Sequence, residues 1–184
     1  MVRCRTPLVA ALALAPALAT PAAAAQEAAA SDARSACDSL CITPTRTVSF
    51  ETRQGTQMSV DVSPDGGTLL FDLLGDLYTV PRSGGAATRV TGGMAIDVQP
   101  VFSPDGSRIL FVSDRSGNEN LWIVDADGSG LRPLTTERGD FQFDEPEWSP
   151  DGEYVMVRRA DGQNPASGRK PWLIHVDGGR GMAL

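Results

Sequence analysis

The tetrad Ser-Pro-Asp-Gly is written three times, as Ser63-Pro64-Asp65-Gly66, Ser103-Pro104-Asp105-Gly106 and Ser149-Pro150-Asp151-Gly152, at intervals of 40 and 46 residues. A period of this size marks an array of stacked supersecondary units. Proline presets φ at the second position of a type I turn, and aspartate suits the third. Glycine then takes the left-handed conformation from which a hairpin resumes its twist. Each tetrad therefore joins two antiparallel strands. An apolar run follows each one: Thr68-Leu69-Leu70-Phe71, Arg108-Ile109-Leu110-Phe111-Val112 and Tyr154-Val155-Met156-Val157. Next come a polar tip and a run opened by an aromatic residue: Tyr78-Thr79-Val80, Trp122-Ile123-Val124 and Trp172-Leu173-Ile174. A glycine turn and a short closing segment, Val90-Thr91, Leu134-Thr135 and Met182-Ala183-Leu184, complete the unit.

Each unit thus holds four short strands. Apolar residues occupy consecutive positions of the second strand, so both of its faces are expected to be buried. Pro100 and Pro146 lie on the leading strands. Proline cannot donate to a ladder, which makes these edge strands or strand starts. Four strands per unit of about 40–45 residues is the pattern of a β-propeller blade. The expected fold is all-β: a partial propeller of three four-stranded antiparallel blades, forming an open arc. The blades fall at about 56–91, 96–135 and 142–184, within a propeller segment 47–184. A sandwich with regular turns is the main alternative, but it does not require three units on one template.

Residues 1–25 read as a signal peptide. Arg3 and Arg5 precede an apolar run from Leu8 to Ala19, and Ala23-Ala24-Ala25 supplies small residues for cleavage before Gln26. That run is shorter than the ~20 residues a membrane span needs, so an exported protein, periplasmic or extracellular, is expected, with no span in its mature chain. Residues 26–46 are an Ala/Ser-rich leader of low apolar periodicity. Cys37 and Cys41 lie in it, and export permits a local disulfide between them.

The chain carries 23 Asp+Glu against 16 Lys+Arg. This balance argues against a nucleic-acid partner, which requires a basic face. One histidine and three cysteines cannot supply a self-contained zinc site. There is no His-x-His pair and no Gly-x-Ser-x-Gly elbow. No catalytic residue, metal ligand or cofactor is therefore assigned, and the chain alone is expected not to be an enzyme. His175 occupies the position of Pro81 and Asp125, an exposed turn shoulder.

The tetrads, with the stretch from Phe111 to Gly128 (Phe-Val-Ser-Asp-Arg-Ser-Gly-Asn-Glu-Asn-Leu-Trp-Ile-Val-Asp-Ala-Asp-Gly), resemble TolB-type, WD-repeat-like propeller blades. The resemblance covers about Gly55 to Leu184. It implies the propeller fold and a protein-contact scaffold of the cell envelope. Similar blades precede catalytic domains in prolyl oligopeptidase-type peptidases and in exported metal-dependent amidohydrolases. The wording of unit one, Asp61 to Tyr78, most resembles the amidohydrolase-fused version. The resemblance also leads us to expect a fragment: three blades are fewer than the four to eight of a closed ring, and the chain stops inside its last closing strand. Any metal would then belong to a downstream amidohydrolase domain. The expected partner is a protein or peptide, or the missing remainder of the same polypeptide.

One cluster is a candidate binding rim: Asp140, Asp144, Glu145 and Glu147 bracket the leading strand of unit three, with Asp97 in the matching region of unit two. A cation or a basic peptide is the ligand such a rim would take. Asp65, Asp105 and Asp151 are read as turn residues bonded to backbone. Tyr78, Trp122 and Trp172 are read as packing between blades.

Overall fold

A computed structural model describes residues 48–162, 164 and 168–184. The expected signal peptide and the whole expected leader, with Cys37 and Cys41, lie outside them. The described residues form twelve strands in three four-stranded antiparallel sheets, each in simple meander order. Blade one holds β1 (Val60–Val62), β2 (Thr68–Leu73), β3 (Asp76–Pro81) and β4 (Thr88–Arg89). Blade two holds β5 (Asp97–Phe102), β6 (Arg108–Ser113), β7 (Asn120–Asp125) and β8 (Arg132–Pro133). Blade three holds β9 (Phe141–Trp148), β10 (Tyr154–Asp161), β11 (Lys170–His175) and β12 (Met182–Ala183). The three sheets do not close on one another, as an open propeller arc requires.

The tetrads behave as their chemistry dictates. Gly66, Gly106 and Gly152 share φ of 72°. Their amides donate to the carbonyls of Ser63, Ser103 and Ser149 at 2.7, 2.8 and 2.9 Å. Each serine hydroxyl donates to its aspartate (Asp65, Asp105, Asp151) and accepts the amide that opens the second strand (Thr68, Arg108, Tyr154). The aspartates are therefore held ionised. Asp105 is lowered to about 2, first by the Ser103 hydroxyl and then by the Ser107 amide.

Strand alternation sends successive side chains to opposite faces. In blade two both faces meet a neighbour. Ile109, Phe111, Trp122 and Val124 pack on Leu70 and Leu77 of blade one. Leu110, Val112, Leu121 and Ile123 pack on Phe143, Val155, Val157 and Ile174 of blade three. None of these eight blade-two residues is more than 3% exposed. Burying each contributes about 1.5–3 kcal/mol, so the middle blade is the centre of the molecule's stability. The aromatic positions divide accordingly: Trp122 is buried between blades, whereas Tyr78 stacks on Phe71 at 5.8 Å on the outer face of blade one.

The closing segments are tied in by a hydroxyl rather than by more strand. Thr91 Oγ1 accepts from the Leu77 amide at 3.0 Å, and Thr135 Oγ1 accepts from the Leu121 amide at 2.9 Å. Threonine recurs there because the closing strands have only two residues each and leave those amides to be capped.

Candidate functional site

The leading strands β5 and β9 each contain a bulge. Their registers shift between Val98 and Val101, and opposite Met156 and Arg158. At the matching positions Gln99 and Glu145 take φ of 54° and 52°. Left-handed backbone is costly for a side chain of this kind, and a bulge leaves an amide out of the ladder. The preceding blade supplies the acceptor. Asp72 Oδ2 accepts from the Gln99 amide at 2.9 Å, and Gln99 Oε1 accepts from the Glu145 amide at 2.8 Å. Asp72 Oδ1 also accepts from Ser59 N–H at 3.1 Å. The second strand of blade one is thereby tied to the leading strand of blade two, and that strand to the leading strand of blade three; the leading prolines Pro100 and Pro146 follow the bulges directly.

At the end of the blades that carries the β2–β3, β6–β7 and β10–β11 tips, further polar contacts tie tip to crossover. Asp114 accepts from the Ile96 amide at 2.8 Å, and Asn118 donates to the Gly139 carbonyl at 3.2 Å. Asn120 accepts from the Glu137 amide and from the Thr135 hydroxyl, both at 2.8 Å. Strand β10 runs on to Asp161, paired with Phe141 of β9.

The acidic rim does not form as one cluster. Asp97 is not part of an exposed rim: it is 0% exposed and ion-paired with Arg115, itself 1% exposed. The guanidinium lies 5.5 Å from the Trp122 ring and 6.0 Å from the Phe111 ring. Burial is the largest influence on the Asp97 carboxyl and pushes its pKa up, against the lowering by the Arg115 charge. An aspartate followed by apolar strand residues cannot be recognised from sequence as one half of a buried pair, because its partner is eighteen residues away in a tip. Asp144 pairs with Arg169, and Glu145 pairs with Arg158 at 2.9 Å. Asp140 and Glu147 are exposed. Glu147 is raised by partial burial and then by Asp61 on the inner strand of blade one. Glu119, which no sequence motif marks, accepts the Phe143 amide, and burial raises its pKa. A second stacked guanidinium, Arg159, lies 4.2 Å from Phe141 and 4.3 Å from Trp172, and pairs with Glu137 at 3.2 Å.

Among the described residues, no group of three or more His, Cys, Asp or Glu is placed to hold a metal ion. His175 stands edge-on to Tyr154 at 5.1 Å and 3.5 Å from the Asp177 carboxylate. No helix of the described residues is long and apolar enough to cross a membrane.

Three stacked four-stranded blades, joined through their inner strands, define a propeller-type repeat protein. Residues 52–184 match the Tricorn protease N-terminal beta propeller domain, and the chain belongs to that family. It is 43% identical over 58 residues to a protein TolB homolog of Chlorobium luteolum, spanning 32% of this chain and 13% of that protein. An uncharacterised protein of Agrobacterium fabrum is 35% identical over 98 residues, 51% of this chain and 33% of its own length. A putative TolB structure from Agrobacterium tumefaciens aligns with a TM-score of 0.60 and 27% identity, covering 71% of this chain and 50% of that one. The tricorn protease aligns with a TM-score of 0.57 over 69% of this chain and 13% of that one; at 18% identity it shows the fold alone. The chain thus spans a third or less of the curated relatives it matches.

Proposed function

We propose that the chain is a non-catalytic propeller segment of an exported protein, and that it binds a protein or peptide segment at the end formed by its hairpin tips. The observation that carries this reading is the contrast between blades and tips. The blades share their Ser-Pro-Asp-Gly turns and the pairing of second on third strand, while the tips between their second and third strands differ in length and sequence. Variable loops on a rigid repeat are where recognition resides. The TolB likeness supports a protein partner rather than a small substrate. The exposed carboxylate of Asp140, beside the third tip, favours a basic segment.

The test is binding of a Lys/Arg-rich peptide, followed by fluorescence anisotropy at two salt concentrations. Exposed charge pairs contribute about 0.2–1 kcal/mol each. Asp140→Asn should therefore weaken binding by roughly 1.4- to 5-fold, at 1.4 kcal/mol per tenfold. Unchanged affinity in the variant refutes the acidic contribution. Absence of any binding refutes the basic-peptide reading.

A second reading is favoured by the wording of Asp61 to Tyr78: the chain is the propeller portion of a metal-dependent amidohydrolase, with metal and catalysis supplied by a domain downstream. A His-x-His motif after the blades in the source gene supports it. Further blades alone support the scaffold.

A further inference from the structure

Asp-Gly is written at Asp65, Asp105, Asp127, Asp151, Asp161 and Asp177. At four of these the carboxylate is tied down in one way. A serine hydroxyl donates to it (Ser63, Ser103, Ser129 and Ser149 in turn), and so does the amide two residues further on, at 2.9–3.0 Å. These bonds lower the pKa of all four, the serine hydroxyl foremost. Asp161 is half-buried in β10 opposite Phe141, and the Gly162 amide donates to the Asp140 carbonyl at 2.6 Å.

Asp177 is held differently. It stands in the β11–β12 turn where blade two has Asp127, but Gly179 replaces Ser129 and takes away the hydroxyl. Gly179 has φ of 117°. Among the described residues, the one polar contact of the Asp177 carboxylate is with His175 Nδ1 at 3.5 Å, and that nitrogen also accepts the Asp177 amide at 3.2 Å. The side chain is 86% exposed. Exposure belongs to the turn itself, because Asp127, with a blade on either side, is exposed as well. The amides that follow are held alike: Gly178 donates to the His175 carbonyl at 2.9 Å, and Gly128 to the Asp125 carbonyl at 2.8 Å. The two turns therefore differ at the carboxyl group.

We infer that Asp177 is a site of spontaneous isomerisation to isoaspartate through a cyclic imide. The Gly178 nitrogen attacks Cγ of Asp177, and glycine puts no side chain in the way of the closing ring. A bond forms between that nitrogen and Cγ. One carboxyl oxygen leaves as water, with the amide proton and a proton that the carboxyl carries or takes from solvent. Water then opens the ring. Opening at Cγ restores aspartate, and opening at the main-chain carbonyl leaves isoaspartate. The product carries an extra methylene in the main chain between β11 and β12, strands whose register is Trp172 with Ala183 and Leu173 with Met182.

Heavy-oxygen water tests this, because each ring opening adds one labelled oxygen. The purified chain is warmed in it at neutral pH and digested with trypsin, and peptide masses are followed with time. Peptide 170–180, in which Asp177 is the one acidic residue, should take up label and split into two chromatographic forms of equal mass. The peptides holding Asp105 and Asp127 should lag at least about tenfold, the equivalent of one hydrogen bond to a charged group. Ser129→Gly should raise labelling at Asp127 towards that at Asp177. Asp177→Glu, whose ring would be larger and slow to close, should leave peptide 170–180 unlabelled. No label at Asp177, or equal labelling at Asp105 and Asp127, overturns the inference. So does label that persists in Asp177→Glu, which is direct exchange, or an unchanged rate at Asp127 in Ser129→Gly.

Discussion

Replacing Asp97 by asparagine keeps the size of the side chain and removes its charge. Arg115 is then left with its guanidinium buried under Trp122 and Phe111 and without its carboxylate partner. Removing one member of a buried pair costs about 3–5 kcal/mol. That is a large share of the ~5–15 kcal/mol that holds a domain folded. At a urea slope of ~1–3 kcal/mol/M, the unfolding midpoint should fall by more than about 1 M. Arg115→Met should be destabilising as well, but with a different pH dependence. Arginine does not titrate in the accessible range, but the raised Asp97 carboxyl of the wild type does, so the Asp97→Asn deficit should be largest near about pH 4 and shrink as pH rises. In Arg115→Met the opposing attraction is gone and burial raises the Asp97 carboxyl further. A raised folded-state pKa gives stability that is present below the unfolded value of ~3.9 and is lost as pH rises through the folded value. The Arg115→Met deficit should therefore shrink as pH falls from about 7 towards 4. Urea unfolding, read by tryptophan fluorescence and circular dichroism at each pH, measures both. A deficit below about 1 kcal/mol for Asp97→Asn, or the same pH profile for the two variants, refutes the reasoning.

Three further outcomes are expected. Asp72→Ala removes the acceptor for the amides of Ser59 and Gln99 and should cost about 2–3 kcal/mol by urea unfolding, since buried donors left without partners are expensive. Thr135→Val keeps the shape but strips the cap from the Leu121 amide and the donor to Asn120, and should cost about 1–3 kcal/mol in the same assay. Asp105, held near pKa 2 by Ser103 and Ser107, has a folded value below the unfolded ~3.9. It contributes stability above about pH 4 that is lost as pH falls from about 4 to 2; an acid titration of Asp105→Asn should show a shallower loss over that window, and an unchanged curve would contradict the turn assignment.

The repeat, the turns and the strands were legible because each rests on local chemistry. Ser-Pro-Asp-Gly specifies a turn within four residues, and the short continuous apolar run around Leu110 or Ile123 specifies a buried strand within six. What escaped depends on pairs of residues far apart in the chain. The bulges at Gln99 and Glu145 are stabilised by side chains of the preceding blade, and neither residue type signals left-handed backbone. Asp97 resembles any surface aspartate until the fold brings Arg115 to it. Asp144 and Glu145 read as free acids because Arg169 and Arg158 come to them from the far side of a hairpin. The shared wording of the units revealed the fold; their differences, which govern recognition, have no template to be read against.

Burial of the middle blade on both faces is the central claim, and amide hydrogen exchange followed by mass spectrometry tests it most directly. The slowest amides should be those of Leu110–Val112 and Leu121–Val124, with the second and third strands of the outer blades exchanging faster. Equal protection across the three blades, or slowest exchange in an outer blade, would contradict the arrangement.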